Sequence, residues 1–249
     1  MTGWVWPLLG GVAGAIGGSF LGTLILRWPQ GRGMARGRSA CDGCGRTLRP
    51  IELVPLLSAL IQRGRCRTCG APIDPLHRRV ELACALIGAL ALGVMPGIGG
   101  AAWALFGWLL LTLAILDWRH FWLPDRLTFP LIGLGLTIGI WANGVSMTDR
   151  LIGAAVGYGA LLVIALGYKR LRGREGLGLG DAKLLAALGA WLGWQALPFI
   201  LLIASTLGLL GAIAATLLGR GVKATTRVPL GTLLAAAALP GWIVVTPLV

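Results

Sequence analysis

Charge is scarce in this sequence, and acidic residues are the scarcest of all. Charged residues make up 12% of its 249 residues, and only nine residues are Asp or Glu. Soluble domains carry about 25% charged residues, so this scarcity excludes an ordinary soluble fold. Apolar residues reach 56%, in recurring runs of roughly 20 residues that are long enough to cross a hydrocarbon core of about 30 Å. We therefore predict an all-α, polytopic membrane protein.

The amino-terminal run lacks the basic residues of a cleavable signal. No Lys or Arg precedes Arg27, whereas a secretory signal begins with a positively charged segment. We therefore expect residues 4–26 to remain as the first transmembrane helix. Hydropathy predicts further spans at 79–95, 98–117, 126–145, 149–168, 182–194, 196–218 and 229–248. The sixth of these eight is short and Pro198 follows it closely, so six or seven spans with partial helices stay open.

Long polar stretches are also rare, and one dominates the chain. It separates a first transmembrane helix (1–26) from a membrane domain (79–249) and forms a loop domain (27–78). Eleven of the 22 basic residues lie in or beside this loop. Basic loops face the cytoplasm, and an outside amino terminus leaves only Arg150 on the outer side. Topology thus accounts for the net charge of +13, and we predict no nucleic-acid binding.

Cysteine occurs five times, and four of the five form two Cys-x-x-Cys pairs in the loop domain. Cys41 and Cys44 are separated by 21 residues from Cys66 and Cys69, which is close to the four-cysteine zinc spacing. A glycine follows each pair and relieves the tight turn around a metal ion. Because the cytoplasm is reducing, a structural zinc is preferred to two disulfides or a redox role. The fifth, Cys84, is predicted to pack within a span.

Three of the nine acids lie where apolar runs begin or end. Asp117 closes the third predicted span, Asp125 precedes the fourth, and Asp181 opens the sixth. A carboxylate at membrane depth is costly and is a functional hypothesis by default. The topology puts Asp117 and Asp181 on the same side, so they meet if their spans pack together. Two adjacent carboxyls share one proton; one then activates water while the other polarises a carbonyl group, which is aspartic protease chemistry.

Each aspartate also has a structural alternative. Asp181 suits the N-cap of its helix, and Asp117 can pair with Arg119 or Lys183. For Asp125, which follows a proline, capping is preferred to a supporting role in the site. Two other classes stay open for the whole chain: a proton- or cation-coupled transporter, and a zinc-containing membrane adaptor without catalysis. A transporter favours acids near mid-membrane, whereas these acids lie at span ends.

Four segments, in this order, resemble the signatures of one family. They are GSFLGTLILRWP at 18–29, the cysteine-containing segment of the loop, LDWRHFWLPD at 116–125 and GLGLGDAKLLAALGAWLG at 176–193. The chain resembles the bacterial type IV prepilin peptidases, the leader peptidase and N-methyltransferase family with a Gly-x-Gly-Asp motif. It departs from them at Gly22, where asparagine is usual, and at Leu53, where asparagine often follows the glutamate.

The resemblance implies a function, a site and a location. Asp117 and Asp181 would be the catalytic pair of an aspartic endopeptidase. The zinc ligands would be Cys41, Cys44, Cys66 and Cys69. The substrates would be type IV prepilins or type II secretion pseudopilins in the lipid bilayer, cut at the cytoplasmic face of the bacterial inner membrane. Family members often methylate the new amino terminus with S-adenosylmethionine. Neither the residues that bind this cofactor nor the oligomeric state is predicted.

Overall fold

The computed structural model describes residues 3–32, 39–62, 64–173, 176–219, 221 and 228–245. Nine α-helices lie within these ranges: α1 (Val5–Arg27), α2 (Leu57–Ile61), α3 (Pro75–Val94), α4 (Ile98–His120), α5 (Asp125–Leu136), α6 (Met147–Arg172), α7 (Leu179–Leu192), α8 (Leu197–Leu217) and α9 (Leu230–Val245). Apart from two isolated β-bridges, these described ranges contain no strand. The all-α prediction is confirmed for them.

Every apolar run predicted from the sequence contains a helix, but the helices differ in length. Among the described residues, four segments are long and apolar enough to cross a membrane: Val5–Gln30, Ile98–His120, Met147–Arg172 and Trp194–Leu217. Both α5, with 12 residues, and α7, with 14, are shorter. The sequence likewise predicts a short span at α7, because the apolar run covers only residues 182–194. A polytopic membrane fold is therefore supported, and a count of eight complete spans stays a prediction.

The chain divides into two compact units, residues 1–108 and residues 109–249. The first contains α1, α2, α3 and the loop domain, and the second contains α5 to α9 with the end of α4. The boundaries predicted from the sequence, at 26/27 and 78/79, separate polar from apolar segments. The two units are instead defined by which residues contact each other in the structure. The three-part division therefore stays a prediction.

In the first unit, α1 packs against α3 along a stripe of glycines. Gly10, Gly14 and Gly18 recur every four residues, and a Cβ atom at any of them would collide with the backbone of α3. Small residues at this spacing allow two helix backbones to touch, which favours helix association in a membrane. Cys84 is fully buried at this contact, in agreement with its predicted packing role.

In the second unit, α7 is the central helix. Every residue from 184 to 192 is buried, as expected for a helix that is apolar on all sides and surrounded by neighbours. The backbones of α6 and α7 touch where Gly153 lies against Gly189. This contact requires glycine at both positions, because a Cβ atom at either one would overlap the other residue's carbonyl group. Neighbouring elements therefore surround α7 from residue 184 to residue 192, and this fixes the helix that carries Asp181 in its first turn.

Arg150, the basic residue that topology leaves outside, is fully buried in the second unit. Its guanidinium donates to the carbonyl oxygens of Gly135 at 3.0 Å, Gly139 at 2.7 Å and Ala190 at 2.9 Å. It also donates to Oδ1 of Asn143. A guanidinium has five N–H donors in a fixed geometry, so one side chain joins the ends of α5, α6 and α7. Its charge is therefore enclosed rather than carried by an outer loop.

We expect Arg150→Met to destabilise the second unit, because the substitution removes the donor from several buried carbonyl groups. Each unsatisfied buried group costs about 1–3 kcal/mol. The melting temperature of the purified protein in detergent should fall by several degrees. Arg119→Met is the control, because Arg119 is exposed at the end of α4, and it should change the melting temperature little. Equal melting temperatures for both variants would show that the Arg150 bonds contribute little stability.

Candidate active site

Asp117 lies in the last turn of α4 and is 5% exposed. The start of α9 supplies its hydrogen bonds. The N–H of Thr232 donates to Asp117 Oδ2 at 2.7 Å, and Thr232 Oγ1 lies 3.1 Å from the same oxygen. A Cβ atom at Gly231 would lie 3.0 Å from Asp117 Oδ2. The backbone of α9 can approach the carboxyl group this closely because residue 231 has no side chain.

Asp181 is the third residue of α7, whose N-cap is Gly178. Asp181 is therefore not the N-cap residue itself, although its carboxyl group faces the backbone N–H of Gly178, the residue that holds that position. The glycines before it allow close packing: a Cβ atom at Gly180 would lie 2.9 Å from the Cβ of Leu123, and one at Gly176 would overlap the ring of Tyr168. The glycine-rich segment therefore fits tightly against its neighbours at the start of α7.

The second unit brings Asp117 and Asp181 together. Both aspartates lie around Leu123: a Cβ atom at Gly231 would lie 3.0 Å from Asp117 Oδ2 and 2.8 Å from the Leu123 side chain, and one at Gly180, next to Asp181, would lie 2.9 Å from the Leu123 Cβ. The N–H of Gly231 faces both carboxyl groups. The two residues are remote in the chain and reach one site because α4, α7 and α9 converge there. Two neighbouring carboxyls that share backbone donors can hold one proton between them, which is the arrangement that paired acid and base catalysis requires.

Asp125 has a different role from the one preferred on sequence grounds. The capping prediction is wrong: Pro124 is the N-cap of α5, and Asp125 is the first residue of the helix. Its carboxylate instead accepts a hydrogen bond from Lys183 Nζ at 2.6 Å. Lys183 also lies 5.2 Å from the centre of the Phe129 ring. Lys183 is thus bonded to Asp125, not to Asp117 as the sequence allowed, and the pair ties α7 to α5 beside Asp181.

In the first unit, the two Cys-x-x-Cys pairs converge. The sulfur atoms of Cys41, Cys44, Cys66 and Cys69 all lie within 4.8 Å of one another, and no disulfide joins them. The Sγ atoms of Cys41 and Cys69 are 3.8 Å apart. Sulfur ligands at about 2.3 Å from a tetrahedral ion lie about 3.8 Å from each other. The cluster can therefore hold a metal ion.

Both halves of the cluster have the same local geometry. In each, the N–H of the first cysteine donates to the carbonyl five residues later, and the N–H of the following glycine donates to that cysteine's carbonyl, all at 2.9 Å. Gly45 and Gly70 have φ values of 71° and 70°, in the left-handed region that favours glycine. Backbone N–H groups of Cys69 and Thr68 lower the pKa of the Cys66 thiol to about 6, which favours the thiolate that binds metals.

A buried ion pair lies next to this cluster. Arg46 Nη2 donates to Glu52 at 2.7 Å, and the N–H of Arg49 donates to the same carboxylate at 2.8 Å. These two donors lower the pKa of Glu52 from 4.5 to about 2. Because they favour the ionised form, their contribution to stability is complete above about pH 5 and is lost as the pH falls towards 2.

A cavity of about 690 Å³ lies between α1, α3 and the loop domain. Two buried carboxylates line it, Glu52 and Glu81. Glu81 accepts the N–H of Leu56 at 2.9 Å and lies 3.2 Å from His77 Nε2. Ser19 Oγ lies 3.3 Å from the same nitrogen. Small-molecule sites commonly have volumes of about 300–1,000 Å³ and a few fixed polar groups, so the cavity has the size and polarity of a ligand site.

Several of these residues were not predicted from the sequence. Thr232 and Gly231 approach Asp117 from the far end of the chain, and the segment VPLGT at 228–232 carried a usable signal. A proline, a glycine and a threonine within four residues before an apolar run are typical of a helix start. The cluster around Glu81 and His77 had no such signal, because a charged residue at the start of a span such as 79–95 is ordinary and His77 shows no metal-ligand spacing.

Comparison with known proteins gives matches in both units. Residues 12–94 match the bacterial peptidase A24 N-terminal domain, and residues 104–213 match the type IV leader peptidase family. A protein named prepilin leader peptidase/N-methyltransferase from Aeromonas hydrophila is 45% identical over 207 residues, which are 83% of this chain and 70% of that protein. The chain belongs to the type IV leader peptidase family. The resemblance noted in the sequence is confirmed.

Two further relatives in the type IV leader peptidase family carry the same name. The Burkholderia pseudomallei protein is 46% identical over 203 residues, covering 80% of this chain and 64% of that protein. The Pseudomonas aeruginosa protein is 41% identical over 211 residues, covering 82% and 70%. The chain thus spans about two thirds of the length of these relatives. No solved structure matches it.

The departure at Gly22 from the usual sequence of the type IV leader peptidase family has a local explanation. Gly22 is buried in α1 and faces the ring of His77 on α3. A Cβ atom at residue 22 would lie 2.9 Å from His77 Nδ1. An asparagine there would therefore displace His77 from its present contacts with Ser19 and Glu81.

Proposed function

We propose that the protein is an aspartic endopeptidase that removes the leader from type IV prepilins or type II secretion pseudopilins. Asp117 and Asp181 form its catalytic pair, at the cytoplasmic face of the bacterial inner membrane. The observation that carries the proposal is the convergence of these two residues on Leu123 and the start of α9, where Gly231 contacts Asp117 and Leu123, and Leu123 contacts Gly180 next to Asp181. The names of relatives at 41–46% identity support the substrate class, and the basic loops support the orientation.

The geometry suits hydrolysis by a carboxyl pair that shares one proton. The ionised carboxylate takes a proton from water while the water oxygen attacks the scissile carbonyl carbon. The protonated carboxyl gives its proton to the carbonyl oxygen. When the tetrahedral intermediate collapses, the first carboxyl donates to the leaving nitrogen and the second recovers a proton from a hydroxyl of the intermediate. Both groups return to their starting states.

The direct test is cleavage of a full-length prepilin by the purified protein in detergent or liposomes. The family resemblance implies a short basic leader that ends in glycine, so the expected result is a shorter product, with mass spectrometry placing the cut after that glycine. A prepilin in which a bulky residue replaces that glycine is the matched control and should remain uncut. Absence of cleavage by folded, lipid-reconstituted protein would contradict the proposed activity.

The four cysteines fit zinc as a structural ion. Four thiolates in tetrahedral positions leave no ligand site open for substrate, which is typical of structural rather than catalytic zinc. When bound, the ion cross-links two turns of a loop domain that is too small to form a dependable core alone. The residues that hold it are Cys41, Cys44, Cys66 and Cys69.

We expect Cys44→Ser to lower the zinc content from about one ion per chain to a small fraction and to open the loop to proteolysis, since binding energy of the metal is folding energy here. Cys84→Ser is the control, because Cys84 is buried between α1 and α3, away from the cluster. Elemental analysis and limited trypsin digestion measure both effects. Equal zinc content in the two variants would rule out the four-cysteine site.

The cavity of the first unit favours a second activity, methylation of the new amino terminus, which the relatives' names also contain. S-adenosylmethionine carries a sulfonium and an ammonium group, and the buried carboxylate of Glu81 provides matching negative charge. Phe20, Leu26 and Leu53 provide apolar wall for an adenine ring. When bound there, the cofactor supplies an electrophilic methyl group. Because His77 Nε2 faces the Glu81 carboxylate, His77 can take the proton from the accepting amine on its Nδ1, and Glu81 stabilises the resulting imidazolium.

A further inference from the structure

Asp117 and Asp181 differ in the donors that face them, and the difference arises at the start of α9. This helix begins at Leu230, and the first N–H groups of a helix have no acceptor within it. The N–H of Thr232 donates a hydrogen bond to Asp117 Oδ2 at 2.7 Å. The N–H of Gly231 lies within reach of both carboxyl groups. The positive end of the α9 dipole is therefore directed at Asp117.

The Thr232 hydroxyl adds a donor that can change its acceptor. Its Oγ1 lies 3.1 Å from Asp117 Oδ2 and 2.9 Å from the carbonyl oxygen of Ala114, which is on the same helix as Asp117. A hydroxyl has one proton to donate, so it cannot serve both oxygens at once. It can donate to Asp117 while that group is a carboxylate, and to Ala114 after Asp117 has taken up a proton.

Asp181 is faced by the backbone N–H groups of Gly178 and Gly231. It shares the second of these with Asp117, whereas the Thr232 N–H donates to Asp117 and the Thr232 hydroxyl can donate to Asp117 when that group is ionised. Hydrogen bonds to a charged group favour the charged form. The carboxyl group with the larger set of donors is therefore the one that stays ionised when the pair holds a single proton.

We propose that the start of α9 decides which carboxyl carries the shared proton; this rests on the aspartic peptidase function proposed above. Asp117 is the ionised member and takes the proton of the attacking water. Asp181 is the protonated member and donates to the scissile carbonyl oxygen. Thr232 is a positioning residue: its hydroxyl donates to Asp117 before the water is deprotonated and to Ala114 afterwards.

Among the residues that the structure describes, Asp181 on α7 is the titratable neighbour of Asp117. The described charged residues that follow the two aspartates most closely along the chain are Lys183, which is bonded to Asp125 of α5, and Arg119 and His120 in the exposed last turn of α4. Of these, only histidine ordinarily titrates between pH 5 and 8. The pH profiles are therefore measured with and without His120→Gln, which separates its titration from that of the aspartates.

The test compares the rate of leader cleavage between about pH 5 and pH 9 for wild type, Thr232→Val and Thr232→Ser. Valine keeps the shape and the backbone N–H but removes the hydroxyl. Without that donor the Asp117 carboxylate binds a proton more readily, so the acidic limb of kcat should move to higher pH by about one unit. KM should change by less than about two-fold, because Thr232 acts through Asp117. Serine should restore the wild-type limb.

A matched control is Thr206→Val in α8, which removes a hydroxyl bonded within its own helix, to Leu202, and should leave the profile unchanged. If kcat falls equally at every pH in Thr232→Val, the residue only packs and the proposal is overturned. A shift to lower pH would place the proton on Asp117 and overturn it as well. If Thr232→Val lowers the melting temperature, Thr232→Ala gives the same comparison without the added methyl group. Failure of the wild type to cut any prepilin would instead refute the peptidase function.

Discussion

Replacement of Asp117 or Asp181 by asparagine is expected to abolish leader cleavage in a protein that remains folded and inserted. Asparagine keeps the shape of aspartate but can neither take up nor donate the proton that hydrolysis moves. Loss of a general acid or base lowers the rate by about 10²–10⁴-fold, and both steps of this reaction need both groups. Co-expression with a prepilin, followed by a gel shift of the leader, measures the effect, and circular dichroism confirms the fold.

Asp125→Asn is the informative comparison. Asp125 is exposed and bonded to Lys183 rather than to the aspartate pair. Exposed ion pairs contribute about 0–1 kcal/mol, so cleavage should fall by no more than about five-fold. A loss as large as that of Asp181→Asn would place Asp125 in the catalytic machinery. Normal processing by either Asp117→Asn or Asp181→Asn would refute the catalytic pair.

Glu81→Gln is expected to separate the two activities proposed for the protein. Glutamine keeps the size of the side chain but removes the negative charge that is buried in the cavity beside His77. Hydrogen bonds to charged groups contribute about 1.5–3 kcal/mol, so binding of labelled S-adenosylmethionine should weaken by about 10- to 100-fold. Methylation of the mature pilin should fall at least as much, while leader cleavage stays within about three-fold of wild type.

The binding measurement is photo-crosslinking of radiolabelled S-adenosylmethionine to the purified full-length chain, which does not depend on turnover. Asp42→Asn is the control, since Asp42 also lines the cavity but is exposed and paired with Arg32. It should change crosslinking little. Unchanged crosslinking in Glu81→Gln would exclude this cavity as the cofactor site, and loss of cleavage together with methylation would show that the substitution acts through folding.

The main elements of this fold follow from one-dimensional patterns. Apolar runs of membrane length predict α1, α4, α6 and α8 because a backbone in lipid must satisfy its own hydrogen bonds. The convergence of Cys41 and Cys44 with Cys66 and Cys69 follows from the four-cysteine spacing. The meeting of Asp117 and Asp181 follows from the positions of two acids at the ends of spans on the same side.

The contacts that tune the site depend on tertiary placement, which the sequence does not specify. Thr232 approaches Asp117 mainly through a backbone N–H, and every residue except proline offers one. From the sequence, Arg150 looks like an isolated charge on the outer side, but in the structure six acceptors from α5, α7 and residues 139–145 surround it. Asp125 lies after a proline in an ordinary capping context, yet Lys183 from α7 determines where its carboxylate points.

The meeting of residues 117 and 181 can be measured directly by crosslinking a variant with cysteine at both positions in a Cys84→Ser background. A short bifunctional thiol reagent is applied, and the joined peptides are identified by mass spectrometry. A second variant pairs cysteine at 117 with cysteine at 149, where Asp149 lies beside Trp194 at the far end of α7, about 20 Å away at 1.5 Å per residue. We predict an intramolecular 117–181 crosslink and none between 117 and 149. If both sites of the first variant react with a monofunctional reagent but no 117–181 crosslink forms, the two carboxyl groups do not share a site.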